Sequence, residues 1–145
     1  MNACAARIFS VAAVLCGCWF AIAQQGQAPV AAVTMAVAPA YPPAALALPK
    51  GDDAVIEVTI SPKGEVESAR PVQGSRLLYA ASLAAAKKWH FQAADQQSKV
   101  LLTFSFRLLP QDALAEDATV MFMPPYRVEI RKKMPSPTIN YGPER

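Results

Sequence analysis

Cysteine is scarce in this 145-residue chain and confined to its start: Cys4, Cys16 and Cys18 are the only three. Everything after Trp19 therefore lacks both a thiol ligand and a disulfide, which excludes cysteine metal sites and cystine stapling there. Histidine is scarcer still. His90 stands alone, so a histidine metal cluster has no second ligand. Ser75 or Ser82 with His90 and Asp95 spells a triad only on paper, because Ser75 is better used as a helix N-cap and Ser82 faces a core. Glu57, Glu65 and Glu67 make an acidic patch that reads as a solvated face. These absences point away from an enzyme and imply no cofactor. A strong charge of one sign is missing too. The net charge is only +3, and the basic residues are scattered apart from Arg131, Lys132 and Lys133, so no nucleic-acid footprint is present. There are no internal repeats, and the length suits one small domain with tails.

The longest uncharged apolar run, Ile8 to Ala23, follows Arg7 and ends in Ala21-Ile22-Ala23 before the polar Gln24-Gln25-Gly26-Gln27. Small-x-small after a short apolar stretch is the pattern of a signal peptidase site, and cleavage after Ala23 is the leading expectation. Leu15-Cys16-Gly17-Cys18 competes as a lipobox with Cys18 lipidated. An uncleaved anchor is the third reading, although the run falls short of the ~20 residues that span a bilayer comfortably. Export follows from the first of these, and contact with a membrane only through a lipidated or retained N-terminus.

Gln24 to Ala40 carries no charge and reads as an Ala/Pro linker, reaching roughly 50 Å when extended at ~3.1 Å per residue. Tyr41-Pro42-Pro43 ends it. Ala54 to Ile60 alternates as a half-buried strand, with Ala54, Ile56, Val58 and Ile60 on one face. Ser61-Pro62-Lys63-Gly64 turns the chain back, since proline presets φ and glycine takes the left-handed position. Glu65 to Val72 is the return strand, kept to an edge by Pro71, which has no N–H to donate. Gly74 to Phe91 reads as one amphipathic helix capped by Ser75, with Leu78, Ser82, Ala85, Ala86 and Trp89 on its buried stripe. Lys87, Lys88 and His90 favour the negative end of the helix dipole. Val100 to Leu109 alternates most cleanly of all, with Leu102, Phe104, Phe106 and Leu108 opposite Thr103, Ser105 and Arg107. The sum is an α+β fold: a small two-layer sandwich, β-β-α-β, with a three-stranded antiparallel sheet under one helix. Pro110 to Arg145 is read as a Pro-rich, partly disordered tail in which Thr119 to Met123 or Tyr126 to Ile130 can add a strand.

A three-stranded sheet leaves strand edges unpaired, and a long alternating strand is a template for an added one. The candidate partner-binding residues are therefore Val100, Leu101, Leu102, Thr103, Phe104, Ser105, Phe106 and Arg107, the backbone holding a ligand and the outward side chains selecting it. Tyr41-Pro42 with Ala44-Ala45, then AVIEVTISPKGEVESARPV, LLYAASLAAAKKWHF and VLLTFSF, resembles the C-terminal domain of TonB energy transducers over Tyr41 to Leu109. The resemblance implies a periplasmic module docking on outer-membrane TonB-dependent receptors, whose N-terminal peptide adds to the domain's last strand, here Val100 to Leu109. It departs from the family where force is transmitted: Ile8 to Ala23 has no histidine or other polar residue for a motor contact, and the linker is too short to cross the periplasm. The expected role is a binding module in TonB-dependent transport that moves nothing itself, its partner a receptor peptide or another envelope protein. The alternative is a structural or assembly module whose edge strand pairs with a second copy, as a homodimer, or with its own tail. A membrane-anchored energy transducer is third.

Overall fold

A computed structural model describes residues 31–48 and 51–136. The leader, lipobox and anchor readings of residues 1–23, the first part of the linker and the last nine residues lie outside the described residues. Among those described, no helix is long and apolar enough to cross a membrane.

The alternation read from Ala54 to Ile60 is set by burial: Ala54, Ile56, Val58 and Ile60 are buried while Val55, Glu57 and Thr59 are half-buried. This strand, β2, runs over Asp52–Ile60 and pairs antiparallel with β3, Val66–Gln73. Gly64 closes the turn at φ 87° and donates its N–H to the Ser61 carbonyl at 2.9 Å. β3 is an edge strand, and the outer row of such a strand is where Pro71 is tolerated.

The helix α1 spans Arg76–Ala86, with Ser75 as N-cap accepting from the Leu77 N–H at 3.3 Å. It ends earlier than the Phe91 expected from the pattern. Trp89 is held by its indole N–H on the Val37 carbonyl at 2.8 Å, and Phe91 donates its N–H to Gly64 at 2.8 Å. His90–Phe91 thereby becomes a two-residue strand, β4, paired with β1 at Val33–Met35. His90 is exposed in this strand and lies beyond the helix end expected for it. The stripe itself is buried as read: Leu78, Ser82, Ala85, Ala86 and Trp89 are all within the core.

β1 also corrects the linker reading. From Ala31 onward the chain lies on the domain: Ala32 accepts from the Gln92 N–H at 2.8 Å, Ala31 from the Tyr126 hydroxyl at 2.9 Å, and Val37 from Trp89. Tyr41 is buried, its ring edge-on to Phe106 at 5.4 Å between centroids.

β5, Ser98–Leu109, supplies Leu102, Phe104 and Phe106 to the core. The proline-rich tail adds a pair of strands: β6 at Val120–Met123 and β7 at Arg127–Lys133 form an antiparallel hairpin. The sheet thus has five strands rather than three, in the order β3-β2-β5-β7-β6. Val128 and Ile130 are buried, continuing the apolar face of β5, and this burial is why a segment expected as tail joins the sheet. The class remains α+β, helix on sheet.

Candidate peptide-binding edge

The eight candidate residues of β5 alternate as their spacing requires. Leu102, Phe104 and Phe106 point into the core, while Thr103 and Arg107 are half-buried on the open face and Leu101 is 51% exposed there. Ser105 shares that open face yet is fully buried, and its hydroxyl has no hydrogen-bond partner. On one side β5 pairs antiparallel with β2, from Asp52 opposite Phe106 to Ile60 opposite Ser98.

Its other side is not free. β7 runs parallel along it, from Thr103 opposite Arg127 to Leu109 opposite Lys133. The ladder opens with the Thr103 N–H donating to the Tyr126 carbonyl at 2.9 Å. Thr103 through Phe106 therefore have strand neighbours on both sides, Arg107 is paired on the β7 side, and the open edge inferred for a three-stranded sheet is occupied there by the chain's own tail. Val100, Leu101 and Leu102 lie ahead of the point where β7 begins, and no described strand pairs with them on that side.

The hairpin is seated by a few specific contacts. Phe122 packs edge-on to Trp89 at 6.0 Å, and Tyr126 edge-on to Phe91 at 6.2 Å. On the open face one carboxylate serves two strands: Asp53 of β2 meets Arg107 of β5 at 2.8 Å and Arg127 of β7 at 3.4 Å. Arg131 pairs within its own strand to Glu129 at 2.6 Å. Further along, Glu57 holds Arg70 at 2.7 Å, with Lys99 at 4.0 Å. The Arg70 hydrogen bond keeps the Glu57 carboxyl below its ordinary range. Exposed pairs of this kind contribute about 0–1 kcal/mol each and weaken in salt.

An apolar cleft of about 300 Å³ opens beside the hairpin turn, lined by Ala31, Ala32, Val33, Phe122, Pro124 and Pro125. Among the described residues no three His, Cys, Asp or Glu side chains gather as a metal site. Of the paper triad, Ser75 serves as the cap and Ser82 is buried.

The sequence profile of the family described as Gram-negative bacterial TonB protein C-terminal matches residues 37–108. That part of the chain belongs to the TonB C-terminal domain family. The matched span begins at the residue that receives the Trp89 indole and ends within β5, so β1, β6 and β7 fall outside it. No curated protein matches the chain. At the level of the family, a TonB C-terminal domain belongs to envelope transport rather than to an enzyme class, and its setting is the periplasm and envelope.

One feature escaped the reading of the sequence: the double ion pair of Asp53 needs three strands side by side and leaves no spacing signal. The place of β7 on the edge was open there as an alternative, through the alternation of Val128 and Ile130 with charged neighbours, and the ladder with β5 is where the chain puts it.

Proposed function

We propose that this protein is a periplasmic TonB-like binding module that acts in or beside TonB-dependent transport and recognises a partner peptide by strand addition on β5. The partner is the N-terminal peptide of an outer-membrane TonB-dependent receptor, or an extended segment of another envelope protein. One observation carries the reading: the outer edge of β5 already takes a strand that lies outside the family's domain, so its geometry suits an added strand once β7 gives way. Backbone hydrogen bonds supply affinity in such a mode and alternate side chains supply selection. The role is binding without force, because the sequence from Ile8 to Ala23 carries no histidine and no charged residue suited to a motor contact.

A second reading is favoured by the same ladder: the tail caps the edge, and the module serves in assembly or in control of access. Deleting Gln111 to Arg145 separates the two. The first reading expects the shortened chain to bind a receptor N-terminal peptide more tightly than the full chain, with slowed amide exchange near Val100 to Phe106. A purely structural cap predicts no peptide binding in either chain, with a change of oligomeric state or of stability instead. Absence of binding at millimolar peptide in both chains refutes the first reading.

A further inference from the structure

The hairpin that fills the edge also describes what the edge accepts. Three observations converge. The β6–β7 hairpin lies beyond the family's span and is joined to it by the segment from Pro110 to Thr119, nearly all of it exposed. Its outer strand is poorly covered, with Val120 56% and Phe122 44% exposed. Its inner strand touches the domain at a short, patterned set of points.

Those points follow the strand period. Tyr126 sets its ring on Phe91 and its hydroxyl on the Ala31 carbonyl. Arg127, next along and on the other face, reaches Asp53. Val128 and Ile130 are buried in register with Phe104 and Phe106. Glu129 and Arg131 pair with each other and add no ion pair to β5. The pattern is aromatic, cation, aliphatic, any residue, aliphatic, running parallel to β5. Parallel pairing is slightly the less stable ladder per residue.

We infer that β7 is a built-in occupant of the strand-addition site, and that the partner is an extended peptide with this same five-position pattern, which enters parallel to β5 and displaces the hairpin. The inference rests on the strand-addition reading above and adds the ligand's side-chain chemistry and direction. Asp53 selects the cation and the Phe104–Phe106 surface selects the two aliphatics. The other edge strand, β3, carries Glu67, Arg70 and Pro71, residues that discourage pairing.

The test uses the full chain and the synthetic peptide of residues 126–132, YRVEIRK. In the unmodified chain, native-state amide exchange should show Arg127 to Arg131 opening well before β2 does, and added peptide should speed their exchange further while Thr103 keeps its protection. Loosening the hairpin with Val128→Gly and Ile130→Gly should raise the affinity for the peptide at least tenfold. A peptide carrying Val128→Asp and Ile130→Asp should not bind, and one carrying Arg127→Glu should bind at least fivefold more weakly. Exchange of β7 only with global unfolding overturns the inference without recourse to any variant. Equal binding of the altered and original peptides overturns it as well. A receptor peptide that lacks the pattern and still binds the loosened chain, where YRVEIRK does not, overturns this inference and leaves strand addition standing. Binding of YRVEIRK with no receptor peptide bound upholds the pattern and removes the receptor reading.

Discussion

Trp89 is the residue on which the N-terminal segment, the helix end and the sheet converge. Its indole N–H donates to Val37 and its ring meets Phe91, Phe104 and Phe122 at centroid distances of 6.0–6.1 Å. Trp89→Phe keeps an aromatic ring in place but leaves the Val37 carbonyl without its donor and the pocket short of a second ring. Loss of such a bond at a covered carbonyl costs about 1–3 kcal/mol, with the smaller ring adding to it. Urea denaturation should show a lower midpoint with an unchanged m-value. Tyr41 is the opposite case. Its hydroxyl is buried without a partner, so Tyr41→Phe removes an unsatisfied group and should leave stability unchanged or raise it by up to about 1 kcal/mol. Burial pushes the Tyr41 phenol up, with Arg107 pulling against it. A raised phenol favours folding fully below the unfolded value near 10, and that advantage disappears as pH rises through the folded value. The native chain should therefore lose stability above about pH 10, and Tyr41→Phe should lose less. Tyr126, also pushed up by burial, accounts for part of what remains. Thermal melts from pH 8 to 11 on both proteins measure the difference.

The elements divide into a unit that carries the fold and a pair that lies against it. β2 and β5 share a nine-residue ladder in which Ala54, Ile56, Val58, Ile60, Leu102, Phe104 and Phe106 are buried, and Ile56→Ala there should cost about 2–5 kcal/mol of global stability. Ile130→Ala removes comparable atoms from β7, yet its cost is capped by the free energy with which the hairpin docks, because beyond that point the chain remains folded with the hairpin released. Urea midpoints should thus fall less for Ile130→Ala than for Ile56→Ala, and equal losses would show that the hairpin is part of one cooperative unit. The division follows what the sequence made legible. The period-two alternation of Ala54 to Ile60 and Val100 to Leu109 and the stripe of α1 are local signals, and each element stands where its residues put it. Three pieces were not local. β1 is three residues of an uncharged Ala/Val stretch whose strand partner among the described residues is His90–Phe91, far along the chain. The last turn of the expected helix gives way to backbone bonds with Gly64 and β1. β7 pairs in parallel after a crossover, so Tyr126 to Ile130 looks like a strand but does not say whose. The candidate site is mixed: the alternation of Thr103 to Arg107 is readable, while the tail beside it was legible only as one alternative, its direction and register being set by non-local packing.

For the whole molecule, the attachment of Ala31 to the domain shortens any tether. Between the expected cut after Ala23 and Ala31 only Gln24 to Val30 remain, and seven residues at ~3.1 Å each reach roughly 22 Å. If the N-terminal segment stayed in the membrane, the domain would be held against the inner face and could not meet a receptor at the outer membrane; release is what makes the binding role workable. The intact mass of the protein recovered from the cell envelope, with its split between soluble and membrane fractions, tests this. A soluble chain beginning at Gln24 is expected. It would free the module to diffuse to its partner and would exclude a transducer. A chain lipidated at Cys18, or one retaining all of residues 1–23, would tie the domain close to a membrane. The peptide in the β5 edge would then have to come from a protein at that same surface, and the uncleaved form would restore transduction as the function to examine.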